Sequence, residues 1–98
     1  MKLRIAEAAA TQIEEVDAWW KVHRVDARLL FRQELGEALA RIENDPLFGA
    51  IFRGRTKVYR RILMPKTRYH LYYEYFPEAG ALAVAAVWSA VRGTAPEI

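Results

Sequence analysis

After a short alternating start, the hydrophobic period of this 98-residue chain is helical up to its middle and two beyond it, and that switch dictates most of its architecture. From Glu7 onward apolar residues return every three or four positions: Ala9, Ile13, Val16, Trp20 and His23 share one face, with Glu14, Glu15, Asp17 and Lys21 opposite. That spacing predicts an amphipathic helix. Thr11 and Glu14 have the spacing of a capping box, yet Ala8, Ala9 and Ala10 are strong helix formers and place the start earlier. "HRVDAR" breaks the phase, and Asp26 is placed to cap a second helix running along Leu30, Phe31, Leu35, Ala38, Leu39 and Ile42, which Asp45 and Pro46 end. Two helices joined by a short link form a hairpin whose apolar stripes both need a surface to cover.

That surface comes from the period-two part of the chain. Runs at 56–64, 68–76 and 81–91 read as strands, separated by "MPKT" and "FPEAGA", where proline costs no ladder hydrogen bond. Two tight connections in succession predict an antiparallel meander. "ALAVAAVWSAV" is apolar on both faces and is expected to be its central, most covered strand. "KLRIA" at 2–6 alternates as a short edge or add-on strand, "LFGAIFRGR" at 47–55 reads as a loop, and the tail "RGTAPEI" is expected to fray. The order is β-α-α-β-β-β in one domain, 1–98, of the α+β class: a twisted antiparallel sheet with a helical hairpin on one face.

Charge is distributed unevenly. Residues 1–45 carry 7 basic and 9 acidic side chains, 46–73 carry 7 basic and none acidic, and 74–98 carry 1 basic and 3 acidic. The positive charge belongs to one segment and suggests an anionic partner there, although arginines on an open sheet face can also be simply solvated. With no cysteine there is no disulfide framework or thiolate metal site. "MKLRIAEAAATQIEEV" is too regularly charged for a signal peptide or membrane span, so the expectation is a cytoplasmic protein.

Few constellations carry chemistry. His23 and His70 fall on different elements without neighbouring ligands, the lone Ser89 has no glycine-flanked elbow, and "GRTK" around Gly54 leads into no helix that could cradle phosphate. No metal or cofactor is called for. Metal-free RNA cleavage needs a base, a cation and an acid, which Arg55, Lys57, Arg60, Arg61 and either His70 or Tyr59 could supply. The same residues also suit a cationic strand whose aliphatic stems cover aromatic neighbours. Alternation puts Tyr69, Leu71, Tyr73 and Tyr75 in a core-facing row and His70, Tyr72, Glu74 and Phe76 on the other face. Only Tyr59 and Tyr72 remain for an outer face, too few for a base-stacking platform.

The element order, with "WW" late in the first helix, "RIENDPLFG" closing the second, "YRRILMPKTRYHLYYEY" and "AVWSAVRG", resembles the ParE branch of the RelE/ParE toxin superfamily over nearly the whole chain. The resemblance implies a toxin of a type II toxin–antitoxin module. It would inhibit DNA gyrase without enzymatic chemistry and be neutralised by a cognate ParD-like antitoxin, a ribbon-helix-helix head with a toxin-wrapping C-terminal segment. DNA would be met only through that antitoxin, and no membrane is involved. RelE-branch relatives are ribosome-dependent mRNA endoribonucleases, with a His or Tyr base near the C-terminus. Here the residue after Trp88 is Ser89, and no His, Tyr or Lys follows, which argues against that chemistry.

The residues expected to meet the antitoxin are Arg53, Arg55, Lys57, Tyr59, Arg60, Arg61 and Trp20, and those expected to meet the target are Trp88 and Arg92. No residue is assigned to catalysis. Were the chain a RelE-like nuclease, Arg60, Arg61 and His70 would be the catalytic set. A detoxified module that only binds antitoxin is the third reading.

Overall fold

A computed structural model describes residues 1–98. Its elements are β1 (Lys2–Ile5), α1 (Glu7–His23), a 3-10 turn at Val25–Ala27, α2 (Leu30–Asn44), β2 (Ala50–Arg53), β3 (Val58–Met64), β4 (Tyr69–Phe76) and β5 (Ala81–Ser89). The strands form one sheet in the order β1-β5-β4-β3-β2. Both helices pack on the same face, α1 against β5 and α2 against β3. The α+β layout follows the two-period pattern.

The core takes the predicted faces. Ala9, Ile13 and Trp20 of α1, with Phe31, Leu35, Ala38 and Ile42 of α2, are buried against Ile62, Met64, Leu71, Tyr73, Leu82, Val84 and Val87. Tyr69 and Tyr75 pack at its margin, so the alternation of β4 separates its tyrosines as expected. Alanines opposite this row on β5, including Ala86 beneath Tyr72, leave room on the helix-free face for long side chains.

Five expectations change. Residues 50–53 lie within the anticipated loop yet form β2, pairing Ile51 with Arg60 and Phe52 with Tyr59; β3 supplies the partner that the glycine-flanked segment lacks on its own. β1 runs parallel to β5 while the other pairs are antiparallel, so the sheet is mixed. No hairpin joins β1 to β5, so nothing forces the antiparallel sense. The middle strand is β4, with β5 between it and β1. Asp26 lies in the 3-10 turn and caps nothing; α2 begins after Leu29. The tail is docked: Pro96 is buried, and the Ile98 carbonyl accepts from the Arg55 amide.

One acid and one histidine also trade places with expectation, and a second acid is buried. His23 is exposed, its ring stacked on Trp19 at 4.7 Å with Nδ1 3.0 Å from the Trp19 carbonyl. Asp17, assigned to the polar face, is only 5% exposed. Its Oδ2 meets Lys21 Nζ at 3.0 Å and Arg32 Nε at 3.1 Å, tying α1 to α2. Glu34, 4% exposed, accepts from the amides of Lys66 and Thr67 at 2.7 and 2.8 Å and from the Thr67 hydroxyl at 2.5 Å. A buried carboxylate on α2 thereby fixes the β3–β4 turn.

Candidate functional site

The seven cations of the acid-free segment do not form one patch, because a strand sends neighbours to opposite faces. Arg60 pairs with Tyr73 on the helix side and Arg61 with Tyr72 on the helix-free side. Arg60 donates to the carbonyls of Gly49 at 2.8 Å and Leu47 at 3.2 Å, latching the segment that leads into β2. The Tyr73 hydroxyl completes that latch, accepting from the Gly49 amide at 3.0 Å and donating to the Pro46 carbonyl at 2.7 Å. Burial raises the Tyr73 pKa, against smaller opposing effects of the Gly49 hydrogen bond and Arg60. Arg60 is therefore committed to the scaffold, while Arg53 and Arg55 stay exposed and Lys57 meets Glu74 at 3.6 Å.

The helix-free face is built of aromatic and cationic side chains in adjacent rows. Arg61 donates to the Tyr72 hydroxyl at 3.1 Å and lies over the Phe52 ring at 5.5 Å; Phe52 meets Tyr72 edge-on at 4.9 Å. His70 lies beside Tyr72, ring centroids 6.0 Å apart, and opposite Trp88 in register. Its pKa is lowered first by burial and then by the positive charges of Arg61 and Arg68, which leaves it a neutral imidazole near pH 7. Arg61, His70 and Tyr72 are thus together, whereas Arg60 is not with them.

Tyr72 is only 1% exposed although no helix covers it. Tyr59, on the same face, is also buried, with its ring against the position where Gly54 would carry a Cβ. Trp20, expected at the surface, is 7% exposed and points its indole N–H toward the Tyr69 hydroxyl at 3.4 Å. Its neighbour Trp19, 44% exposed, is the surface tryptophan of the pair. Sequence phase had already put Trp20, not Trp19, with Ile13 and Val16.

Trp88 and Arg92 are brought together. The Arg92 guanidinium lies 4.6 Å from the Trp88 ring, and both line a cleft of about 400 Å³ with Gln12, Glu15, Val16 and Trp19 of α1. The cleft exists because β1 pairs only with Ala81–Val84, leaving the far half of β5 without a strand on the edge away from β4. The Gln12 side-chain oxygen accepts the bare Val87 amide at 2.8 Å and stands in for the missing ladder. Trp19 and Gln12 were not singled out at the sequence level; "WW" was the available signal for the first, and none existed for the second. The Ser89 hydroxyl accepts from the Val91 amide at 3.4 Å, and Ser89 pairs with Tyr69 instead of facing His70. No helix is long and apolar enough to cross a membrane. No family model matches the chain, and no curated protein matches it.

Proposed function

We propose that this chain is the toxin of a ParDE-type type II toxin–antitoxin module, a non-enzymatic cytoplasmic protein. It binds DNA gyrase, stabilises the cleaved DNA complex and is silenced by a cognate ParD-like antitoxin. Support comes from the resemblance across nearly the whole chain and from an element order that keeps the expected strand, two helices and antiparallel meander, with β2 added before the meander. The end of β5 carries the reading: Trp88 and Arg92 stand stacked at an open cleft, while Ser89 occupies the place where nuclease relatives hold a base. A serine bonded to a backbone amide has no general base to activate it. Arg53 and Arg55 are exposed and suited to an acidic antitoxin segment; Trp20 and Tyr59 are buried and act as support.

A second reading, a RelE-like endoribonuclease, draws on Arg61, Tyr72 and neutral His70 sharing one face. Arg60, tied to Leu47 and Gly49, counts against it. Mapping mRNA ends during induction separates the two. The gyrase reading predicts growth arrest with no codon-dependent cuts. Cuts that vanish in Arg61→Ala would transfer the assignment to the nuclease, and harmless expression would leave only a detoxified antitoxin-binding module.

A further inference from the structure

β2 is a terminal strand of the sheet, and its outer edge is barely blunted. The Gly54 amide donates to the Lys57 carbonyl at 2.8 Å, and bonded pairs alternate along an antiparallel ladder. Ala50 and Phe52 therefore turn their backbone groups toward β3, while Ile51 and Arg53 turn theirs outward. The strand holds no proline and Arg53 is its only charge, so a single cation guards an edge that another strand can join. Ile51 and Arg53 lie on the helix side, since Ile51 pairs with Arg60 and Arg60 with Tyr73. There Leu47, Ile51 and Val58, each more than half exposed, line an open cleft of about 530 Å³ with Tyr75, to which neither helix contributes a residue.

We propose that β2 pairs antiparallel with β2 of a second copy of this chain, about a two-fold axis at Ile51, so that the two sheets join into one homodimeric sheet. Helix sides must match across the axis, and outward backbone groups must meet, which leaves only Gly49, Ile51 and Arg53 as centres. Arg53 would oppose its own charge, and Gly49 lies outside the strand. With Ile51 at the centre, Ala50 faces Phe52 of the second copy and Gly49 faces its Arg53. Charge agrees with that register. The Tyr73 hydroxyl holds Pro46 and Gly49 together, which brings Asp45 to the Gly49 end. Asp45 and Arg53 are both exposed, and neither joins an ion pair within its own chain. Across the axis each meets the other, twice over, while the apolar clefts around Ile51 run together. The other terminal strand, β1, suits this less: pairing about its outward Leu3 would set Lys2 against Arg4.

The chain has no cysteine, so a single substitution makes a clean probe. In a bonded antiparallel pair the Cα atoms lie about 5.5 Å apart, within disulfide reach. Under mild oxidation the full-length Ile51→Cys chain should form a covalent dimer at least tenfold faster than Val22→Cys, whose site is more exposed but lies on α1. Without oxidation, sedimentation should show wild-type dimers at concentrations on the order of 100 μM, as suits a small interface. Ile51→Lys and Arg53→Asp should each weaken the dimer at least tenfold, and adding Asp45→Arg to Arg53→Asp should recover at least threefold of that loss. No gyrase or RNA enters these measurements, so their outcome is separate from the toxin assays. A wild-type chain that stays monomeric at that concentration overturns the proposal. So does equal crosslinking at Val22, a dimer indifferent to Ile51→Lys, or no recovery in the charge-swapped variant.

Discussion

Glu34 and Thr67, thirty-three residues apart, are joined by two hydrogen bonds to one carboxylate oxygen, from the Thr67 amide at 2.8 Å and its hydroxyl at 2.5 Å. The other oxygen takes the Lys66 amide, so α2 holds the β3–β4 turn through a single side chain. Glu34→Ala leaves buried donors unpaired and is expected to cost about 2–4 kcal/mol. Thr67→Val, which loses only the hydroxyl bond, should cost about 1–2 kcal/mol. Urea unfolding measures both; similar midpoints for Glu34→Ala and wild type would show that the turn does not depend on α2.

The Tyr73 hydroxyl has a comparable role at the other end of α2. Tyr73→Phe removes one donor and one acceptor and should destabilise by about 1–3 kcal/mol. Gly49→Ala should do more, since its Cβ would lie 2.7 Å from that hydroxyl. Thermal unfolding should order the variants wild type, Tyr73→Phe, Gly49→Ala, and the double variant should recover part of the Gly49→Ala loss because the clashing oxygen is gone.

Asp17 makes the helix pairing acid-sensitive. Burial alone would raise its pKa, but hydrogen bonds from Lys21 and Arg32 and their charges together outweigh it, and the net shift is downward from 3.8. A carboxylate depressed in the folded state stabilises above its unfolded pKa, and that contribution is lost as pH falls through the folded pKa. Stability should therefore decline below about pH 4. Asp17→Asn should lower stability at pH 7 by about 1–3 kcal/mol, discounted because both cationic partners are half exposed, and flatten the decline. Parallel unfolding curves at pH 3 and pH 7 for the two proteins decide it.

His70 titrates in the opposite region. Its lowered pKa means that the unfolded chain binds a proton more readily, so its contribution is present above about pH 6.5 and is lost as pH falls through the folded value. Arg61→Gln removes the charge with the larger effect of the two named above and should raise the His70 pKa toward its ordinary value. NMR titration of the imidazole protons reads this directly; an unchanged midpoint would mean that burial alone sets it.

The sequence was informative wherever structure is local. The stripe from Ala9 to Trp20, the stripe from Phe31 to Ile42 and the alternation of β4 each follow from a period that five or six residues suffice to fix. Asp17 and Glu34 stand in phase with those stripes, four residues after Ile13 and three after Phe31, but charge sets Asp17 on the polar face and leaves Glu34 without a reading; Arg32 and Thr67, which hold them, lie on other elements. Arg60 and Arg61 were grouped by charge although period two sends adjacent residues to opposite faces. β2 and the docked tail were illegible for another reason. Each is ordered by long-range contact, with β3 for one and with Trp88 and Arg55 for the other, and neither carries a strong propensity of its own.

The proposed gyrase-directed toxin would act through the β5 end and not on RNA. The direct measurement is a cleavage assay with purified full-length chain, gyrase and supercoiled plasmid, quantifying linear DNA after denaturation. Linear DNA should rise with the concentration of this protein, and be at least tenfold less with Trp88→Ala or Arg92→Ala at unchanged folding. No trapped cleavage complex at stoichiometric excess of the folded wild-type chain would contradict it.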